Sequence, residues 1–241
     1  MKIALYSFTV FLITSFILSS CSSPHHKNKL LKQYNQYPYS DIRIAFYQNA
    51  KQAKYYSFLS SFSELPDQNL WLSIDSVKTQ IVKKKADHID TNADQIFGKF
   101  VDIEIVNNNH SLFEKNYYVP QKIELIAKKE SQQHCLLSRR GSIQWVKDSL
   151  NQNPIIIQIK LFNVKDKTLD TEEVMKHKMV HIETKDNGIY QFKENELDAF
   201  PKDAILAITL QRYHIESASM KDGQVVLETI NTNGDYFQLL D

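Results

Sequence analysis

His177 and His181 stand four residues apart, a spacing that on a helix would bring both imidazoles to one metal ion. On a strand the pair shares a face but lies about 13 Å apart, four rises of about 3.3 Å each. Zinc holds its nitrogen ligands at about 2.0 Å, so a strand setting makes these separate, structural or solvent-facing histidines. Asp90-Thr91-Asn92-Ala93-Asp94 repeats the opening ligands of a calcium loop. The position that needs glycine holds Gln95, however, and the one that supplies a bidentate carboxylate holds Val101. A polar loop between strands is the expectation there. The chain has no H-E-x-x-H, and its five glycines form no G-x-G-x-x-G, no phosphate loop and no G-x-S-x-G elbow. Its 28 acidic residues offer too many pairs to single out a glycosidase couple. The 12 tyrosines are expected as strand formers and core more than as sugar platforms. No catalytic, cofactor-binding or metal-ligating residue emerges, and an enzyme is not expected.

The two cysteines carry the remaining chemistry. Cys21 closes the run Leu18-Ser19-Ser20-Cys21, after an apolar segment from Ile3 to Leu18 that follows a single Lys2. A secretory signal has a charged start, an apolar run of about 7–15 residues and small residues at the cut. A spanning helix needs about 20 apolar residues, and this segment is interrupted by Ser7, Thr9, Thr14 and Ser15. The arrangement resembles the lipobox of a bacterial lipoprotein signal peptide. That resemblance implies cleavage before Cys21 and lipid on its thiol and new amine, so residues 1–20 are a signal peptide and 21–38 a lipidated tether. The tether is polar and holds His25-His26, expected to be solvated. By the same resemblance to bacterial lipoproteins, Ser22 in place of Asp implies release from an inner membrane. The likeness to Bacteroidetes-type lipoproteins, with no acid before Asp41, implies the periplasmic side of an outer membrane rather than the cell surface. With Cys21 lipidated, Cys135 has no intramolecular partner. Its half-apolar setting, Gln133 to Leu137, marks it as a buried structural thiol; His134 beside it would point to the opposite face of a strand.

Positive and negative charges balance, 29 against 28, so no field draws nucleic acid or an acidic polymer. Lys83-Lys84-Lys85 and Arg139-Arg140 read as solvated surface. The length beyond the signal suits one large domain or two small ones, at about 100–200 residues each.

The body alternates with period two, the mark of half-buried strands. Ile42, Ile44 and Phe46 share one face; so do Val101, Ile103 and Ile105; Ile123, Leu125 and Ala127; Ile155, Ile157, Ile159 and Leu161; and Ala204, Leu206, Ile208 and Leu210. Asp186-Asn187-Gly188, Lys221-Asp222-Gly223 and Asn231-Thr232-Asn233-Gly234 are read as tight hairpin turns. Asn49 to Leu65 fits a short helix or a strand from Tyr55 to Phe62, and Thr171 to Val174 a helical turn. Glu194 to Phe200 is a turn-rich excursion ended by Pro201. A polar stretch at Lys128–Gln133 places a boundary. The fold expected is all-β, with two antiparallel β-sandwich domains: residues 39–138 and 139–241.

The second half reads Ile143-Gln144-Trp145, Asp148, Asn151, Pro154 to Ile157, Asp186-Asn187-Gly188-Ile189-Tyr190, Leu197, Phe200-Pro201, and Ile205 to Arg212. This is similar to an Ig-like sandwich of uncharacterised Bacteroidetes lipoproteins; Tyr117-Tyr118-Val119-Pro120 upstream shares the likeness. The resemblance implies a buried Trp145 between sheets and a turning corner at Phe200-Pro201. It brings no catalytic or ligand residues. The function expected is a membrane-anchored, non-enzymatic interaction or accessory subunit of an outer-membrane or cell-envelope complex, with envelope proteins as partners, no nucleic acid, and no cofactor beyond the lipid on Cys21. A glycan- or small-ligand-binding module is the alternative.

Overall fold

In the computed structural model the alternating runs form strands. The structure describes residues 42–49, 53–59, 69–81, 87–89, 95–126, 135–163, 179–220 and 223–240. Cys21 and its tether with His25 and His26, the Lys83–Lys85 run, Asp90 to Asp94, Lys128 to His134, Thr171 to Val174 and His177 lie outside the described residues. Every named element is a strand: β1 (Ile42–Gln48), β2 (Ala53–Leu59), β3 (Leu70–Ile74), β4 (Val77–Gln80), β5 (Asp87–Ile89), β6 (Lys99–Asn107), β7 (His110–Val119), β8 (Cys135–Ser138), β9 (Ser142–Gln144), β10 (Ile155–Asn163), β11 (Met179–Thr184), β12 (Ile189–Gln191), β13 (Ile205–Met220) and β14 (Gly223–Leu240). The protein is all-β, as its patterning predicts. The ambiguous stretch from Asn49 contains strand β2.

The largest sheet runs β11-β10-β13-β14-β1-β2-β5, with β8 also on β14; a four-stranded sheet runs β4-β3-β6-β7, and β9 pairs with β12. The hairpin β13–β14 pairs without interruption from Ile205↔Gln238 to Met220↔Gly223. On its other side β14 takes β1 in parallel along Val225–Asn231 and β8 in parallel along Phe237–Leu240.

The inward face of this hairpin explains the architecture. Successive inward positions on β13 are Leu206, Ile208 and Leu210, then Arg212, His214 and Glu216, then Ala218 and Met220. On β14 they are Val225 and Leu227, then Thr229, Asn231, Asn233 and Asp235, then Phe237 and Leu239. Each strand is apolar, then polar, then apolar, so one hairpin serves two cores. The first core gathers Ile42, Ile44 and Phe46 with Leu72, Val101, Ile103, Ile105, Tyr117, Met220, Val225 and Leu227. The second gathers Trp145, Ile155, Ile157, Ile159, Phe192, Phe200, Leu206, Ile208, Leu210, Phe237 and Leu239. Residues Gln33–Asp241 nevertheless form a single compact unit. The chain passes from one core to the other between Val119 and Ile123; the sequence boundary at 138/139 falls between β8 and β9, both of which contribute to the second core.

Two turn expectations are corrected. Asn231 to Gly234 lies inside β14, because its side chains bond across the molecule rather than to their own backbone. Asp186-Asn187-Gly188 does bend, with Gly188 at φ 87°, yet it joins β11 of the large sheet to β12 of the small one and closes no hairpin. The two-residue turns of the four-stranded sheet use no glycine. Asp75-Ser76 and Asn108-Asn109 hold positive φ at both positions between the closing pairs Ile74↔Val77 and Asn107↔His110. Short polar side chains tolerate that conformation, and its twist suits a hairpin. Of the run from Ile123 to Ala127, the described residues 123–126 form no named strand; Leu125 makes a single bridge to Trp145.

Candidate functional site

Arg212 continues the inward series of β13 and is fully buried. A guanidinium there must satisfy five N–H groups, and all five are engaged. Nε donates to Asp186 Oδ2 at 2.7 Å, and Nη2 to Asp186 Oδ1 at 3.1 Å and to the Val146 carbonyl at 2.8 Å. Nη1 donates to the carbonyls of Gln121 at 2.6 Å and Lys122 at 3.1 Å. Asp186 is equally occupied: Oδ1 also accepts from Trp145 Nε1 at 2.8 Å and Oδ2 from Asn151 Nδ2 at 3.0 Å. Asn151 bonds reciprocally with the backbone of Asn153. Asp148 accepts from the Tyr118 hydroxyl at 2.7 Å and from the Gln121 amide at 2.8 Å, and turns the chain through the Leu150 amide. From β14, Asn231 Nδ2 donates to the carbonyls of Pro120 and Gln121.

Polar residues that carry the resemblance thus converge. Trp145, Asp148, Asn151, Asp186 and Arg212, read from the sequence as parts of an Ig-like pattern, form one buried network around Pro120–Lys122. Its chemistry is retention. Each donor of Arg212 and each carboxylate oxygen of Asp186 is engaged within the protein, and the segment that links the two cores is gripped from both sides. Trp145 is buried as expected. Arg139, expected on the solvated surface, instead donates to the carbonyls of Leu197 at 2.8 Å and Phe200 at 3.1 Å and fastens the corner before Pro201. Cys135 is 2% exposed in the second core, the setting expected of a structural thiol.

A second polar group lies farther along the hairpin, unnoticed in the sequence. Asn153 Nδ2 lies 2.8 Å from His214 Nδ1, and His214 Nε2 lies 2.7 Å from Glu216 Oε1. Lys115 of β7 pairs with the other oxygen of Glu216. Burial raises the Glu216 carboxyl, but the hydrogen bonds from Lys115 and His214 outweigh it and hold its pKa below the ordinary value. Tyr117 stacks against Phe46 with centroids 5.7 Å apart, and its hydroxyl reaches Thr229 Oγ1 at 3.1 Å. The available signal was the break in apolar alternation on β13 and β14, where polar types occupy inward positions.

A shallow depression on the four-stranded sheet is lined by Asp102, Glu104, Glu114, Lys115 and Asn116. Phe162 and Tyr236 form an exposed ring pair with centroids 4.5 Å apart. Phe162 sits at the bulge where β10 shifts register against β13. His181 lies on β11 opposite Gln158; burial and the Lys160 charge hold its imidazole pKa below the usual value. Among the described residues no group of three or more His, Cys, Asp or Glu is placed to hold a metal.

Four phenols tie this architecture to pH. Burial pushes Tyr117, Tyr118, Tyr190 and Tyr213 up, Tyr213 to about 12, with Asp148 beside Tyr118 and Glu196 beside Tyr190 adding to it. A phenol raised in the folded state stabilises the fold fully below its unfolded pKa, about 10, and loses that contribution as pH rises through the folded value. The protein is therefore expected to hold its stability up to pH about 10 and to lose it steeply above. Phenolate absorbance and circular dichroism followed against pH check this. Full ionisation of all tyrosines near pH 10 with the dichroism unchanged would contradict it.

No family model matches the chain, and no curated protein sequence is similar enough to it to carry an argument.

Proposed function

We propose that this chain is a membrane-anchored, non-enzymatic interaction or accessory subunit of a cell-envelope complex, lipidated at Cys21 and held at the outer membrane with its body on the periplasmic side. The observation that carries the reading is Leu18-Ser19-Ser20-Cys21 at the end of an interrupted apolar segment. One acyl chain binds a bilayer marginally and two or more bind it stably, so a multiply acylated Cys21 keeps the body at the surface without a spanning helix. Each apolar core is then one Ig-like sandwich, with the β13–β14 hairpin supplying a layer to both. The buried network supports this division of labour: its polar atoms hold the two halves together, which leaves recognition to edge strands and loops.

A glycan- or small-ligand-binding role is the second reading, favoured by the exposed Phe162–Tyr236 pair. Cys21→Ala is expected to leave the fold intact and move the protein from the membrane pellet to the soluble fraction. Pull-down of the unaltered protein from detergent-solubilised envelope is expected to bring partner proteins with it. Complete pelleting of the Cys21→Ala protein with salt-washed membranes removes the anchor; recovery of the monomer alone under several mild detergents removes the accessory role. Binding to a glycan matrix that is lost in Phe162→Ala selects the second reading.

A further inference from the structure

The strand β11 is at one end of the large sheet, paired with β10. Met179 and His181 are two residues apart on it, so their side chains stand on one face, opposite Lys160 and Gln158 of β10. Met179 is 39% exposed, and its Sδ lies 2.6 Å from His181 Nε2. A thioether sulfur and an imidazole nitrogen thereby meet at the rim of the sheet. Thioethers select soft ions such as Cu(I), and imidazole binds the same metal well.

We propose that Met179 and His181 form a two-donor site for a soft monovalent cation of the Cu(I) and Ag(I) class. The two donors part to admit the ion, which the unbranched, exposed Met179 side chain permits. Lys160 places a positive charge beside the site, a repulsion that grows with the charge of the ion and favours a monovalent one. Calcium and magnesium prefer oxygen ligands and find none in this pair. His181 Nδ1 is buried with no hydrogen-bond partner among the described residues. Metal-binding histidines that hold an ion tightly donate that second nitrogen to an acceptor, so this site takes up and releases its ion instead of keeping it as a structural metal.

Silver(I) is the probe, because it needs no reductant. The intact protein, labelled with methyl-¹³C methionine, is titrated with Ag(I), and the methyl of Met220, 8% exposed in the first core, serves as the internal control. The Met179 methyl is expected to shift to saturation while Met220 stays still. His181→Gln is expected to weaken that response by ~10²-fold or more, the lower range of gain from two linked donors acting together. In Met179→Leu, which keeps the apolar volume, the His181 ring resonances are expected to stop responding. A Met179 methyl unmoved in excess Ag(I), including the case where silver is taken up by thiols alone, overturns the site; so does a His181→Gln protein that titrates like the unaltered one.

Discussion

Arg212→Met is expected to lower the unfolding free energy by about 3–5 kcal/mol, the range for removing one partner of a buried ion pair. The substitution keeps much of the side-chain length, so the loss is electrostatic before it is steric. Asp186 remains with a side chain 1% exposed, holding bonds from Trp145 and Asn151 but no countercharge. The carbonyls of Gln121, Lys122 and Val146 lose their bonds from Arg212 at the same time, with Gln121 keeping the one from Asn231, and a buried acceptor left unsatisfied costs about 1–3 kcal/mol when water cannot reach it. Denaturant midpoints at unchanged slope measure the sum. The double variant Arg212→Met with Asp186→Leu is expected to recover part of the loss, because replacing both members of a buried pair with apolar groups is far less costly than orphaning one. A double variant that is less stable than the two single losses added together would show that the pair is not the unit described here. The same variants test the two-core organisation. The bonds lost are those to the segment joining the cores, so hydrogen exchange at Gln121 and Lys122 is expected to rise more than at Ile42–Phe46.

The strand pattern was legible where one face meets a core and the other meets water. Ile157 to Leu161 and Leu206 to Leu210 alternate cleanly because burial acts on every second residue. Turn chemistry was less legible, since it was sought through glycine. Asp75-Ser76 and Asn108-Asn109 reach positive φ without it, while Asn231 to Gly234 carries turn residues in a continuous strand. There the side-chain amide of Asn231 serves the backbone of Pro120 and Gln121, a demand made by a segment remote in sequence. The buried network was half visible. Its side chains stood among the residues that carry the resemblance, and Arg212 fell on the inward register of a strand, an anomaly that points to a buried partner. Most of what Arg212 holds is main-chain carbonyl, which any residue carries and which leaves no trace in residue type. Gly223 pairs with Met220 at the end of the β13–β14 ladder; Lys221 and Asp222 of the expected turn lie outside the described residues.

Gly234→Ala decides between local preference and packing at the centre of the hairpin. Strand preference alone predicts a gain, since glycine in a strand interior is destabilising by about 0.5–1 kcal/mol relative to alanine. The contacts predict a loss. A Cβ at position 234 would lie 2.5 Å from the Ile208 carbonyl oxygen and 3.1 Å from both Cα and Oγ1 of Thr209. Two of those three atoms are backbone, in the strand that pairs Thr209 with Gly234, so relief requires β13 and β14 to separate. Overpacking of this kind costs about 1–3 kcal/mol, which exceeds the gain from strand preference. Gly234→Ala is therefore expected to lower the denaturation midpoint. Thr209→Ala added to it is expected to recover little, because it removes Oγ1 and leaves the closer Ile208 contact in place. A raised midpoint in Gly234→Ala would mean that the hairpin has room for a side chain at 234, and that β13 and β14 do not approach each other there as closely as described. A lowered midpoint that Thr209→Ala restores would place the conflict on the threonine hydroxyl instead of the backbone. The expected pattern, a loss that persists in the double variant, ties the glycine to close strand approach and explains why a turn-like sequence runs straight through the middle of β14.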